Sequence, residues 1–93
     1  MRVVVLTLTL YAPWVHSLKE KRMEIKSLLQ RLRNKFNVSA CETAKQDTMQ
    51  TLVVSIAGIA ADSSQADSIV DNILAFIEGN TEAEVTAIDR QIY

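Results

Sequence analysis

The stretch from Ser17 to Lys35 constrains the fold most, because it combines a defined helix start with one apolar face. Ser17 and Glu20 have the Ser-x-x-Glu spacing of a capping box, in which each side chain satisfies an amide that the first helical turn leaves unpaired. Apolar residues then recur at helical spacing: Leu18, Ile25, Leu28, Leu29, Leu32 and Phe36. Such a stripe has to pack on a sheet or another helix, so the sequence predicts an amphipathic helix over a core.

A β-strand is predicted before this helix, because residues 2–11 alternate between two faces. One face carries Val4, Leu6, Leu8 and Leu10, and the other carries Val3, Val5, Thr7, Thr9 and Tyr11. Pro13 lacks a donor for the ladder and ends the strand.

The second half of the chain predicts a hairpin, a helix and a last strand. Residues 37–44 and 50–60 are the hairpin strands around a turn at 45–49, and residues 82–92 are the fourth strand. The apolar face of the second helix is Ala66, Ile69, Val70, Ile73 and Ile77, and its cap is Asp62, Ser63 or Ser64. Gly79 is suited to a left-handed cap at its end.

The order strand, helix, strand, strand, helix, strand is typical of the ferredoxin-like α+β fold. With short connections and right-handed crossovers, the expected sheet is antiparallel in the order 4-1-3-2, with both helices on one face. The 93 residues, 48% of them hydrophobic, are predicted to form a single domain, 1–93. The fold name implies no iron–sulfur cluster, since four ligands are needed and Cys41 is the only cysteine.

Charge is divided unequally along the chain, although the formal net charge is only −1. Residues 17–35 hold seven basic and two acidic side chains, a balance of +5, while the remaining three basic and nine acidic residues sum to −6. On the first helix a stripe of Lys19, Arg22, Lys26 and Arg33 lies beside the apolar face, and Lys21 with Glu24 is the clearest stabilising pair within the helix. Helical geometry predicts that the acidic stripe of the second helix, Asp67, Asp71 and Glu78, faces the opposite flank.

This charge pattern has two interpretations. In the first, the basic helix and the amides at its N-terminus bind the phosphates of RNA through Lys19, Lys21, Arg22, Lys26 and Arg33, with Trp14 or Tyr11 available for base stacking. In the second, the basic residues are a solvated helix face or meet the acidic flank of another subunit. Trp14 then closes the end of the core.

The run Ser17-Leu18-Lys19-Glu20-Lys21-Arg22, followed by Phe36-Asn37-Val38-Ser39, Glu42 and Gln46-Asp47, resembles the YlxP-like family of small uncharacterised bacterial proteins. The resemblance extends over nearly the whole chain in length and element order. It implies a ferredoxin-like fold and genes that neighbour those of ribosome-maturation and translation-initiation factors, and it supplies no activity and no site. It favours an RNA- or ribosome-associated protein.

No enzyme site can be assembled from the sequence. His16 is the only histidine and lacks Cys or carboxylate neighbours at metal-ligand spacing, so we expect no metal, and no cofactor motif is present. Glu42 and Asp47 can approach each other across the hairpin, where an acid pair is more often structural than catalytic. The sequence therefore predicts a non-enzymatic protein.

The open face of the predicted sheet offers an alternative function. Its central residues are small or apolar and lack aromatic rings on which bases could stack, yet they suit sheet-to-sheet contact. The alternative is therefore a homodimeric interaction or scaffolding module.

The expected location follows from the N-terminal run and the cysteine. The apolar start is interrupted by Thr7 and Thr9 and indicates a strand rather than a signal peptide. The lone Cys41 is expected to be a buried, reduced thiol. We expect a cytoplasmic protein without a membrane span.

Overall fold

The computed structural model describes all 93 residues in six elements, in the predicted order. The strands are β1 (Arg2–Tyr11), β2 (Ser39–Ala44), β3 (Thr51–Ala60) and β4 (Glu84–Ile92). The helices are α1 (Leu18–Lys35) and α2 (Ser63–Asn80). The ferredoxin-like α+β arrangement is confirmed.

The four strands form one antiparallel sheet in the order β2-β3-β1-β4, as predicted. β1 pairs with β3 along its whole length, from Arg2 opposite Ala60 to Tyr11 opposite Thr51. The helix-covered side of β1 is the predicted one, since Val4, Leu6, Leu8 and Leu10 are at most 2% exposed. The residues between them are half-buried, so the other face of the sheet is open.

The start of α1 is confirmed at Ser17, whose Oγ accepts the amide of Glu20 at 3.0 Å. The reciprocal half of the predicted capping box is displaced by one residue, because Glu20 Oε2 accepts the amide of His16 at 3.4 Å. Ile25, Leu28, Leu29 and Leu32 are buried, while Leu18 and Phe36 at the two ends of the stripe are half-buried. The Phe36 ring packs edge-on against Phe76 of α2, with ring centroids 5.5 Å apart.

Asp62 caps α2, because its carboxylate accepts the amide of Gln65 at 2.8 Å. The predicted left-handed cap at Gly79 is wrong: no glycine has a positive φ, and the helix continues through Asn80. Side chains instead satisfy carbonyls of the last turn. Asn80 Nδ2 donates to the carbonyl of Phe76 at 2.8 Å, and the guanidinium of Arg31 donates to the carbonyl of Asn80. With these partners the chain leaves the helix at Thr81 in an extended conformation.

The hairpin differs from its predicted bounds mainly at the start of β2. Asn37 and Val38 precede the strand, which begins at Ser39 and shifts register between Glu42 and Ala44. The left-handed residue of the connecting turn is Lys45, with a φ of 54°. Cys41 is exposed on β2, so the predicted burial of its thiol is wrong, because the alternation of the strand places Ala40 rather than Cys41 in the core.

Candidate nucleic-acid interface

Four basic side chains form an exposed row along α1, and we call Lys19, Arg22, Lys26 and Arg33 the basic stripe. At 100° per residue they fall within an arc of about 60°. All four are exposed, and none lies in an ion pair with a carboxylate. Their positive charge is therefore balanced only by solvent and mobile counterions.

The basic stripe and the acidic stripe lie on opposite flanks of the molecule. Arg33 donates a hydrogen bond of 2.5 Å to the carbonyl of Ala40 in β2, which is one edge of the sheet. On α2, Asp67 forms an ion pair with Arg90 in β4, which is the other edge. The predicted separation of the two charges is confirmed, so the surface of the domain is electrically polar.

Lys21 does not belong to the exposed surface, because only 1% of it is accessible. Its ammonium donates hydrogen bonds to the carbonyls of Lys45 at 2.5 Å and Thr48 at 2.6 Å, both in the turn between β2 and β3. Its third close neighbour is Glu42, with Nζ 3.2 Å from Oε2. Lys21 thus joins the first turns of α1 to the hairpin, and its burial keeps it out of reach of a phosphate.

The partner of Lys21 differs from the one expected. The predicted pair with Glu24 is absent, and the carboxylate that neutralises the ammonium comes from Glu42, 19% exposed on β2. Glu42 Oε2 accepts no well-aligned hydrogen bond, although the ammonium is 3.2 Å away. The short hydrogen bonds of Lys21 go to the turn carbonyls, and Glu42 balances its charge.

The burial of Lys21 could have been found from spacing. Lys21, Ile25, Leu28 and Leu32 follow one another at intervals of four, three and four, which places Lys21 within about 20° of two buried leucines on the helix. A lysine in an apolar stripe has to find acceptors once it is desolvated. No local signal identifies those acceptors, because they are 21 to 27 residues further along the chain.

Trp14 lies away from the basic stripe. It is half-buried, packs on the core, and lines a cavity of about 490 Å³ together with Glu24, Arg31 and Glu78. On α1, Glu24 and Arg31 are about 160° around the helix from the basic stripe. The structure therefore brings Lys19, Arg22, Lys26 and Arg33 together and leaves Trp14 on the side that faces α2.

The start of α1 is already occupied by the protein itself. The Glu20 amide donates to Ser17 Oγ, and the Glu20 carboxylate lies beside the His16 amide. A negative side chain at this position competes with an incoming phosphate. Phosphate binding would therefore depend on the side chains of the basic stripe rather than on the amides of the helix start.

Of the other candidate groups, Glu42 is the ion-pair partner of Lys21, and Asp47 is exposed in the turn between β2 and β3. His16 is exposed, and no three His, Cys, Asp or Glu side chains are grouped so that they could hold a metal ion. Neither helix combines the length and the hydropathy that crossing a bilayer requires.

The fold and the basic stripe define a small ferredoxin-like α+β protein whose first helix carries an exposed row of basic side chains without ion-pair partners. Residues 3–90 match the model of the family described as Protein of unknown function (DUF503), and the chain belongs to this family. It is 43% identical over 70 residues to the Uncharacterized protein YlxP of Bacillus subtilis (strain 168), which covers 75% of this chain and 76% of that protein. The comparisons therefore agree with the resemblance found from the motifs.

Proposed function

We propose that this protein is a non-enzymatic RNA-associated protein that binds the RNA backbone, including that of ribosomal RNA, through the basic stripe. The observation that supports the proposal most is that Lys19, Arg22, Lys26 and Arg33 are all exposed and unpaired by carboxylates on one flank. Lys21 and Trp14 are left out, because the first is buried and the second lies on the other side of α1.

The geometry of the basic stripe suits phosphates better than bases. From Lys19 to Arg33 it extends about 21 Å along the helix axis. No aromatic residue belongs to it, so bases have no ring to stack on there, and lysine and arginine binding to phosphates releases counterions irrespective of sequence. We expect binding that depends strongly on salt and weakly on base sequence.

The proposal is tested by measuring the affinity of a fluorescein-labelled RNA hairpin across a salt series. Replacing Arg22→Glu and Lys26→Glu together should weaken binding at low salt by at least about tenfold and reduce the slope of log K against log salt by about 1.5 to 2. The physical reason is that both changes remove phosphate-neutralising charges and introduce repulsion.

The matched control is Arg2→Glu with Lys35→Glu, which changes the net charge equally at exposed positions outside the basic stripe. This control should retain most of the affinity. Absence of binding by the folded wild-type protein at low salt would contradict the proposal, and so would equal losses in the two double variants.

The alternative function is a homodimer formed through the open face of the sheet. One observation favours it: β1 and β3 contribute no charged residue to this face, and Ile59 at its end is 68% exposed. Thr7, Ser55 and Thr43 satisfy one another through hydroxyl hydrogen bonds of 2.9 and 2.7 Å, which lowers the cost of covering them. Sedimentation at high concentration should then give a dimer that Ala57→Glu dissociates, and a monomeric wild type would rule this function out.

A further inference from the structure

The two edges of the sheet are protected to different degrees. β2 is six residues long, and Arg33 of α1 crosses to it and donates to Ala40. β4 is nine residues long and pairs continuously with β1 from Ala87 to Ile92, and no element covers its outer side. The outward backbone groups of such an edge are a ready template for another strand.

An apolar groove runs beside this free edge on the helix side. Its volume is about 460 Å³. Its lining is Leu74 of α2 with Ala83, Val85 and Ile88, and the carboxylate residues Glu78 and Glu84 complete it. Ile88 is 53% exposed, because α2 extends only partly over β4. A strand added to β4 would continue this surface, and its helix-side residues would cover the exposed side of Ile88.

The opposite face of β4 also carries carboxylates. Glu84 pairs with Tyr11 and Asp89 pairs with Thr7, both of which belong to the open face of β1. Arg90 is the only basic residue of β4, and it is already paired with Asp67. A strand added here would therefore gain from basic side chains on its open-face side, since opposite charges on neighbouring strands stabilise a sheet.

We propose that β4 and the adjoining groove bind an extended segment of a partner protein in which apolar and basic residues alternate. Such a segment adds a fifth strand to the sheet, places its apolar residues over Ile88, and places its basic residues beside Glu84 and Asp89. A second copy of this chain fits less well, because its own β4 would bring two further carboxylates against the same edge.

The probe is a synthetic peptide of about nine residues in which lysine alternates with valine, matched to the nine residues of β4. Added to the full ¹⁵N-labelled chain, it should shift the amide resonances of β4 and slow hydrogen exchange of its outward amides. A peptide in which glutamate replaces every lysine should bind at least about tenfold more weakly.

Two pairs of variants test whether peptide binding depends on the groove and on the charge of β4. In each pair the second variant makes the same substitution at an exposed position elsewhere. Ile88→Asp should weaken peptide binding by about tenfold or more, while Ile59→Asp, an exposed isoleucine on the open face, should leave it within about twofold. Asp89→Lys should weaken binding and reduce its salt dependence, while Asp47→Lys at the hairpin turn, with the same charge change, should do neither.

Several results would overturn the proposal. They are an absence of β4 shifts at millimolar peptide, equal binding of the lysine and glutamate peptides, or equal losses in Ile88→Asp and Ile59→Asp. Concentration-dependent broadening confined to β4 without peptide would assign the edge to a second copy instead. RNA binding by the basic stripe does not enter this test, so the two proposals stand or fall separately.

Discussion

Lys21 differs most from its predicted role. The sequence places it among the basic residues predicted to bind RNA, whereas the structure buries it. Its ammonium is held by two turn carbonyls and by Glu42, so burial is compensated rather than avoided. Ser17, Glu20, Lys21 and Glu42 all belong to the motifs that carry the family resemblance, and each has a structural contact in the fold. These four motif residues are therefore accounted for by structural contacts that anchor α1.

We predict that Lys21→Met lowers the free energy of unfolding by about 3 kcal/mol, because it leaves a partly buried carboxylate and two carbonyls without their partner. Glu42→Gln should cost less, about 1 to 2 kcal/mol, because the carbonyls keep the ammonium. Urea unfolding followed by circular dichroism measures both. The control Lys19→Met, at an exposed position, should stay within about 0.5 kcal/mol of the wild type. A similarly small effect at Lys21 would show that the buried contacts add no stability.

At the level of elements, the end of α2 shows how side chains can replace a special backbone conformation. Gly79 is helical, and a Cβ built on it meets nothing within 4 Å. Asn80 and Arg31 instead donate side-chain hydrogen bonds to the carbonyls of Phe76 and Asn80 at this end of the helix. Glycine at this position therefore costs helix stability without a compensating geometric role.

Gly79→Ala should accordingly raise the free energy of unfolding by about 0.5 to 1 kcal/mol, since alanine restricts the unfolded chain and favours the helix. Gly58→Ala is the matched comparison, because there a Cβ would come within 3.1 Å of Val38 Cγ1. We expect that substitution to be neutral or destabilising. Thermal unfolding measures the stability of both variants. A Gly79→Ala variant less stable than the wild type would show that the end of α2 requires glycine.

The molecule as a whole is organised with opposite charges on its two flanks around one core of 19 buried apolar residues. The basic stripe borders β2, and the acidic side of α2 borders β4. Trp14 lines a cavity to which residues of both helices contribute. Trp14 therefore reports on the packing of the two helices and the end of β1 together.

We predict that Trp14 fluorescence and far-ultraviolet circular dichroism give the same urea midpoint, because a domain of this size with one core unfolds cooperatively. Trp14 is the only tryptophan, so its emission can be excited selectively. The RNA hairpin should leave this emission unchanged, because the basic stripe is on the other side of α1. Midpoints that separate would show that the helices loosen before the sheet.

The sequence by itself determined the element order, the two faces of β1, the cap at Ser17 and the opposed charge stripes. It narrowed the cap of α2 to Asp62, Ser63 or Ser64, and the structure shows that Asp62 is the cap. These features depend on local periodicity and on chirality, and both can be read along the chain. Lys21 lay at a core position on the helix, but its role depended on acceptors in a turn more than 20 residues away.

Only the tertiary structure decided that Glu42 neutralises Lys21, that Trp14 lies apart from the basic stripe, and that α2 ends without a left-handed glycine. It also decided that an apolar groove lies beside the free edge of β4, whose edge position the predicted strand order already contained. Most of these depend on contacts between residues that are distant in sequence. Such contacts are set by how the helices sit on the sheet, which periodicity along one element does not specify.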